Sequence, residues 1–208
     1  FSIAFWMRLD QRPRYRAPSL LRLQMGEEAV LRALLDRDAG IRLVEHLSQV
    51  QVRGSRLPIG RWIHVAIVRE KELVKLFIDG SIDGSIGATY PHSLDNFMLG
   101  GTAEPGKRFD GHVDELTFFS RALTDPEIIG LVRSPGLVTG LIDRPNRPPS
   151  PAIQAAALNS SDVLHHFSFD VDARDSVGGV AGVLHGNAGI DATAVVGSGS
   201  LVGSTDGM

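Results

Sequence analysis

The chain has 208 residues, no cysteine, and 21 Lys and Arg against 24 Asp and Glu, for a net charge of −3. This excludes disulfide staples, thiolate metal sites and thiol nucleophiles, and the scattered cations form no basic stripe of the kind that marks nucleic-acid binding. With 43% hydrophobic and 22% charged residues, the composition suits one globular domain with a buried core plus some extra chain. No apolar run approaches the roughly 20 residues needed to cross a bilayer, so no membrane segment is expected, and no basic-then-apolar signal opens the chain. Phe1 to Met7 already reads as strand. The chain therefore reads as a piece of a longer protein, with any export signal outside it.

Phe1-Ser2-Ile3-Ala4-Phe5-Trp6-Met7 sets large apolar residues at odd positions, the period of two of a strand. Arg8 to Pro18 reads as a loop. Leu20 to Leu35 suits two strands split by Met25-Gly26-Glu27-Glu28, and Ile41–Glu45 and Val50–Val52 follow as further strands. Trp62–Val68 and Leu73–Ile78 predict a hairpin around Arg69-Glu70-Lys71-Glu72. The first of these strands is apolar at both parities, so it should be central and covered on both faces. Ile78-Asp79-Gly80-Ser81 is echoed at Ile82-Asp83-Gly84-Ser85, which reads as a local turn repeat. Phe97–Gly100 and Gly111–Phe119 predict two more strands.

Thr124 and Glu127 have the spacing of a capping box, and Ile128, Ile129, Leu131 and Val132 supply an apolar helix face, so a helix is expected from about 125 to 133. Residues 134–161 read as a linker, because Arg144 to Pro151 holds four prolines that cannot donate to a ladder. Val163–Asp170 is a strand followed by an Asp-rich turn. Gly182–His185 and Ala194–Val196 look like short strands in a Gly-, Ala- and Ser-rich tail.

Three phrases carry a resemblance. They are Phe1–Trp6; Trp62-Ile63-His64-Val65-Ala66 with Leu76-Phe77-Ile78-Asp79-Gly80; and Phe109–Leu116 with Ser120-Arg121-Ala122-Leu123-Thr124. In this order and spacing the chain resembles the laminin G-like family of concanavalin A-like sandwich modules over residues 1–133. The resemblance implies an all-β jelly roll of two antiparallel sheets with one late helix, and the strand pattern agrees. The family's opening phrase, a strand ending Phe-x-Phe-Asp and then Asp-Ser-x-Gly, is missing before Phe1 and stands instead at Leu164 to Gly179. Segments 162–208 and 1–133 would then make one module in permuted order. The tail could close the sandwich in cis or by strand exchange with another copy.

The candidate chemistry is sparse. A glycoside hydrolase of this fold needs carboxylates on alternate strand positions facing one cleft. Asp110-x-His112-x-Asp114 is the nearest pattern, but adjacent Asp114 and Glu115 should point to opposite faces, so structural hydrogen bonding is favoured over catalysis. Asp170, Asp172 and Asp175 lie within six residues on one turn, and the resemblance implies rim-loop calcium, which makes them candidate ligands against the alternative of self-capping Asx turns. The pentraxin-type run of Glu, Gln and Asp is not reproduced at Gly100-Gly101-Thr102-Ala103-Glu104. His165 and His166, as strand neighbours, face opposite sides and cannot share one ion. His64 beside Trp62 reads as packing, and Gly197-Ser198-Gly199-Ser200 as a flexible stretch. Tyr15, Tyr90 and His92, in predicted loops, are the candidates for stacking on a sugar. The expected function is a non-catalytic recognition or adhesion module for carbohydrate or an extracellular protein, in an exported or surface protein of a bacterium. A ligand-free structural spacer is the alternative.

Overall fold

The computed structural model describes residues 1–14, 18–89, 95–101, 109–143, 158–185 and 187–203. The strands are β1 Ser2–Leu9, β2 Ser19–Met25, β3 Glu28–Leu35, β4 Gly40–Glu45, β5 Gln51–Arg56, β6 Trp62–Glu70, β7 Leu73–Ile78, β8 Ser81–Gly87, β9 Asn96–Leu99, β10 Gly111–Phe119, β11 Val163–Phe167, β12 Gly189–Asp191 and β13 Ser200–Gly203. Two α-helices, α1 Asp125–Arg133 and α2 Leu137–Asp143, and a 3-10 turn at Ser160–Asp162 complete the described elements.

The strands form two antiparallel sheets, as alternation in the sequence implies. The larger runs β12-β13-β10-β1-β6-β7-β8, with β11 also on β10, and the smaller runs β5-β4-β3-β2-β9. β10 is the meeting place of the two ends of the chain. One edge pairs with β1, while on the other Leu116–Phe119 pairs with β11 and Gly111–Val113 with β13.

Between the sheets lies a core of inward residues, including Ile3, Phe5, Met7, Leu31, Leu43, Ile63, Val65, Leu76, Phe167 and Leu201. A second core covers the other face of the larger sheet, where Ala4, Ala66, Val68, Phe77 and Phe119 meet Leu123, Ile128, Leu131, Leu137 and Val138 from the helical region. β6 is therefore covered on both faces, as its apolar run implies. The sheets also touch at one edge, where Asp83 of β8 accepts the Ser55 N–H of β5 at 2.7 Å. A Cβ on Gly54 would stand 2.1 Å from that carboxylate, so any side chain there would have to displace Asp83.

Several local expectations change. Ile82–Ser85 lies inside strand β8, since its backbone pairs with β7. Residues 137–143, inside the expected linker, form α2, seated by buried Leu137 and Val138. In the tail, β12 and β13 occupy 189–191 and 200–203 rather than 182–185 and 194–196, because only the former find partners. α1 begins where the capping signal places it. Glu127 Oε2 accepts from Thr124 N at 2.7 Å and Thr124 Oγ1 at 2.9 Å, and Arg121 grips the same carboxylate.

Candidate functional site

The smaller sheet sends its apolar residues Leu21, Leu23, Leu31, Ala33, Ile41 and Leu43 inward. The period of two then places Arg22, Arg32, Arg42 and Arg53, one from each of β2 to β5, on the opposite, outward face. Register brings them together in pairs. Arg22 is directly opposite Arg32, and Arg42 directly opposite Arg53. Val44 lies across from Arg32 and Leu34 across from Arg42. These two apolar residues are buried although they face outward, as expected where arginine stems lie over them. Among the described residues no helix packs on this face.

The two arginine pairs differ in their electrostatics. Arg42 Nη2 lies 3.1 Å from Asp36 Oδ1, Arg53 Nε 3.0 Å from Asp36 Oδ2, and Arg53 also pairs with Asp38. The Arg53 guanidinium holds the Asp38 carboxyl below the usual range. Arg42 Nη1 donates to Gln51 Oε1 at 3.1 Å. Among the described residues Arg22 donates to one acceptor, the backbone carbonyl Glu27 O, at 3.4 Å, which also accepts from Gln24 Nε2 at 3.2 Å. Arg32 has no partner among the described residues, and the Nε atoms of Arg22 and Arg32 are buried without one.

The candidate catalytic carboxylates lie on the other sheet, in a closed setting. β10 carries a bulge opposite Phe5, between the pairs Trp6↔Asp114 and Ala4↔Thr117, and Glu115 there has φ +54°. The extra residue resets the alternation. Glu115 therefore joins Asp114 on the outer face of the sheet, a correction to the expectation that adjacent residues point oppositely. Both are buried. Asp114 Oδ2 accepts from Val195 N at 2.9 Å and Val196 N at 3.1 Å, and Oδ1 from Glu115 N at 2.9 Å. Glu115 receives Thr139 Oγ1 of α2 at 2.9 Å, and His166 Nε2 lies 3.7 Å away. His166 Nδ1 is 2.9 Å from Thr117 Oγ1.

Desolvation pushes Glu115 up to about 8 and Asp114 up to about 6, with their mutual repulsion adding to the rise of Glu115, and lowers His166 to about 4. Shifts of this kind often mark active sites, but buried structural networks produce them as well. Here α2 and the 195–196 segment supply hydrogen-bond partners to the two carboxylates. Of the remaining pattern, Asp110 accepts from Gln11 Nε2, and buried His112 stands 3.1 Å from Ser200 Oγ and 3.0 Å from Asp10.

Asp170, Asp172 and Asp175 do not converge. Asp170 Oδ1 accepts from Ser198 N at 2.5 Å, and Asp172 Oδ1 from Arg174 N at 2.9 Å. Asp175 accepts from the N–H groups of His166, Val177 and Gly178 and lies 2.6 Å from His165 Nδ1. Among the described residues no group of three or more His, Asp or Glu is placed to hold a metal ion. His165 and His166 face opposite sides, the first packing on Phe118. His64 is buried edge-to-face on Trp6 at 5.3 Å, whereas Trp62 packs on His112. Tyr15, Tyr90 and His92 lie outside the described residues. The outward arginines were missed from sequence because β2, β3 and β4 each carry a single arginine and β5 only Arg53 and Arg56, so no strand shows a basic run.

Two twisted antiparallel sheets with one polar face left open define a jelly-roll sandwich module. The chain belongs to the Laminin_G_3 family of the concanavalin A-like lectin/glucanases superfamily, whose family model matches residues 1–129. Among curated proteins, none matches the sequence. Solved structures share the fold at low identity. A Trypanosoma rangeli sialidase in complex with the inhibitor DANA superposes with a TM-score of 0.56 at 17% identity, over 65% of this chain and 23% of that one. A Bacteroides ovatus protein described as carbohydrate-binding gives 0.52 at 15%, over 97% and 51%. The Ruminococcus gnavus IT-sialidase CBM40 bound to α2,3-sialyllactose gives 0.50 at 18%, over 63% and 81%. The chain thus spans under a quarter of the sialidase and about half of the Bacteroides protein. No described helix is long and apolar enough to cross a membrane.

Proposed function

We propose that this chain is a non-catalytic carbohydrate-binding module that uses the outward face of the five-stranded sheet. The observation that carries the reading is that face itself: four guanidinium groups with Gln24 and Gln51 around them, planar polar groups suited to sugar hydroxyls and ring oxygens. The other sheet is roofed by helices, and its carboxylates accept their own backbone N–H groups. The Bacteroides protein and the CBM40 module, each associated by description with carbohydrate, support the same direction. A glycan-binding role suits a parent protein outside the cell or at its surface, with adhesion as its use.

The test is a glycan array probed with the intact chain, followed by titration of the best oligosaccharide against wild type and Arg32→Gln. Saturable binding weakened by the substitution supports the reading, and no binding across the array favours a ligand-free spacer. Hydrolysis of β-glucan lost on Asp114→Asn would establish the glycoside hydrolase instead.

We also infer that 162–203 completes the sandwich begun by 1–133, in permuted order. The support is the pairing of β11 and β13 with β10 and the insertion of Phe167, Phe169 and Leu201 into the core. A chain ending at Asp143 should lose cooperative melting or aggregate through the uncovered β10 edge; unchanged melting would overturn closure by the tail. Sedimentation of the intact chain as a monomer supports closure in cis, and a dimer supports exchange between copies.

A further inference from the structure

We infer that Arg22 and Arg32 form an anion subsite on this face and that the glycan it takes is acidic, bearing a carboxylate that both guanidinium groups engage. The inference rests on the carbohydrate reading above and adds the chemical class of the ligand. Its basis is a contrast within one sheet. Like charges directly opposite each other on neighbouring strands repel. The chain balances the Arg42–Arg53 pair with Asp36 and Asp38, at 3.1 and 3.0 Å in the two contacts to Asp36. Two strands further along, Arg22 and Arg32 meet in the same directly opposed register without a carboxylate from the described residues.

Their stems are also held in place. The Nε atoms of both are buried, and Arg22 is further fixed by its contact to Glu27 O. Part of the ordering cost of gripping an anion is therefore already met in the free protein. Both side chains are only partly buried, so their terminal nitrogens can reach a ligand. A planar carboxylate matches the guanidinium fork with two parallel N–H···O bonds, which a spherical charge such as lysine cannot reproduce. Beside the pair, exposed Met98 opposite Arg22 offers apolar surface for the non-polar face of a sugar ring, while Gln51 presents an amide group on the same face.

The experiment titrates the intact chain with three sets of oligosaccharides of equal length, neutral, uronate- or sialate-bearing, and sulfated, at low and high salt. Wild type, Arg22→Gln, Arg32→Gln, Arg32→Lys and the remote charge control Arg174→Gln are compared, with melting curves to confirm folding. The expected result is a preference for the carboxylated set. Affinity should fall at least tenfold in either glutamine variant, partly recover in Arg32→Lys, weaken in salt, and stay unchanged in Arg174→Gln. Preference for neutral sugars would overturn the acidic class and leave the carbohydrate reading standing. Preference for sulfated sugars would overturn the carboxylate assignment. Acidic-sugar binding that ignores both substitutions would remove the subsite from this pair, and failure of all three sets would overturn the underlying reading itself.

Discussion

Glu115 should make the protein less stable as pH rises from 6.5 to 8. Its carboxyl ordinarily titrates at 4.5 and is pushed to about 8 by burial, with the hydrogen bond from Thr139 opposing the rise. Between those values the folded state keeps a proton that the unfolded state has released, so stability is fully present below pH 4.5 and is lost as pH climbs toward 8. Each unit costs about 1.36 kcal/mol. Asp114 acts in the same direction, but only up to about pH 6. His64 and His166, lowered by burial from 6.5 to about 4, act oppositely up to pH 6.5, because there the unfolded chain holds the extra proton. The four effects largely offset one another below pH 6, and from 6.5 upward the Glu115 loss stands out. Over the 1.5 units to pH 8 it amounts to about 2 kcal/mol, or a fall in Tm of about 4–8 °C for a chain of this size. The Phe1 amino group, lowered by burial, opposes part of this, so the assay takes a difference. Urea unfolding of wild type and Glu115→Gln is followed by tryptophan fluorescence at half-unit steps, and the difference should change by about 1.36 kcal/mol per pH unit in favour of the variant. A difference that stays constant across the window would refute a buried, protonated Glu115.

Arg121 ties α1 to the tail, contacting Glu127 at 2.6 Å and Asp162 at 3.0 Å. Arg121→Ala should cost about 1 kcal/mol and speed proteolysis near residue 160, since its side chain is partly solvated and the ion pairs are screened; digestion at the wild-type rate would show that the tail is held without it. Gly54→Ala should destabilise by about 1–3 kcal/mol through the clash with Asp83, although the same change at an unhindered strand position stabilises; a raised Tm would contradict the edge contact. Millimolar calcium should leave Tm unchanged, because Asp170 and Asp175 are engaged with backbone N–H groups; a calcium-dependent rise would require those carboxylates to rearrange.

The sequence by itself determined the fold class, the order of strands β1 to β7, the burial of β6 on both faces and the start of α1. These depend on period, capping and turn chemistry, which are properties of neighbouring residues. It also allowed His165 and His166 to be separated, since strand alternation is local. Tertiary structure decided where that alternation breaks. The bulge at Glu115 exists because β10 carries one residue more than β1 in its ladder, and no signal within 111–119 reveals a mismatch with a strand a hundred residues away. The arginine face has the same origin: each arginine is an ordinary outward residue, and only the register of β2 with β3 and of β4 with β5 makes them pairs. Likewise 200–203 became strand where 194–196 did not, since a short segment is a strand only if an unpaired edge, here that of β10, stands ready to receive it.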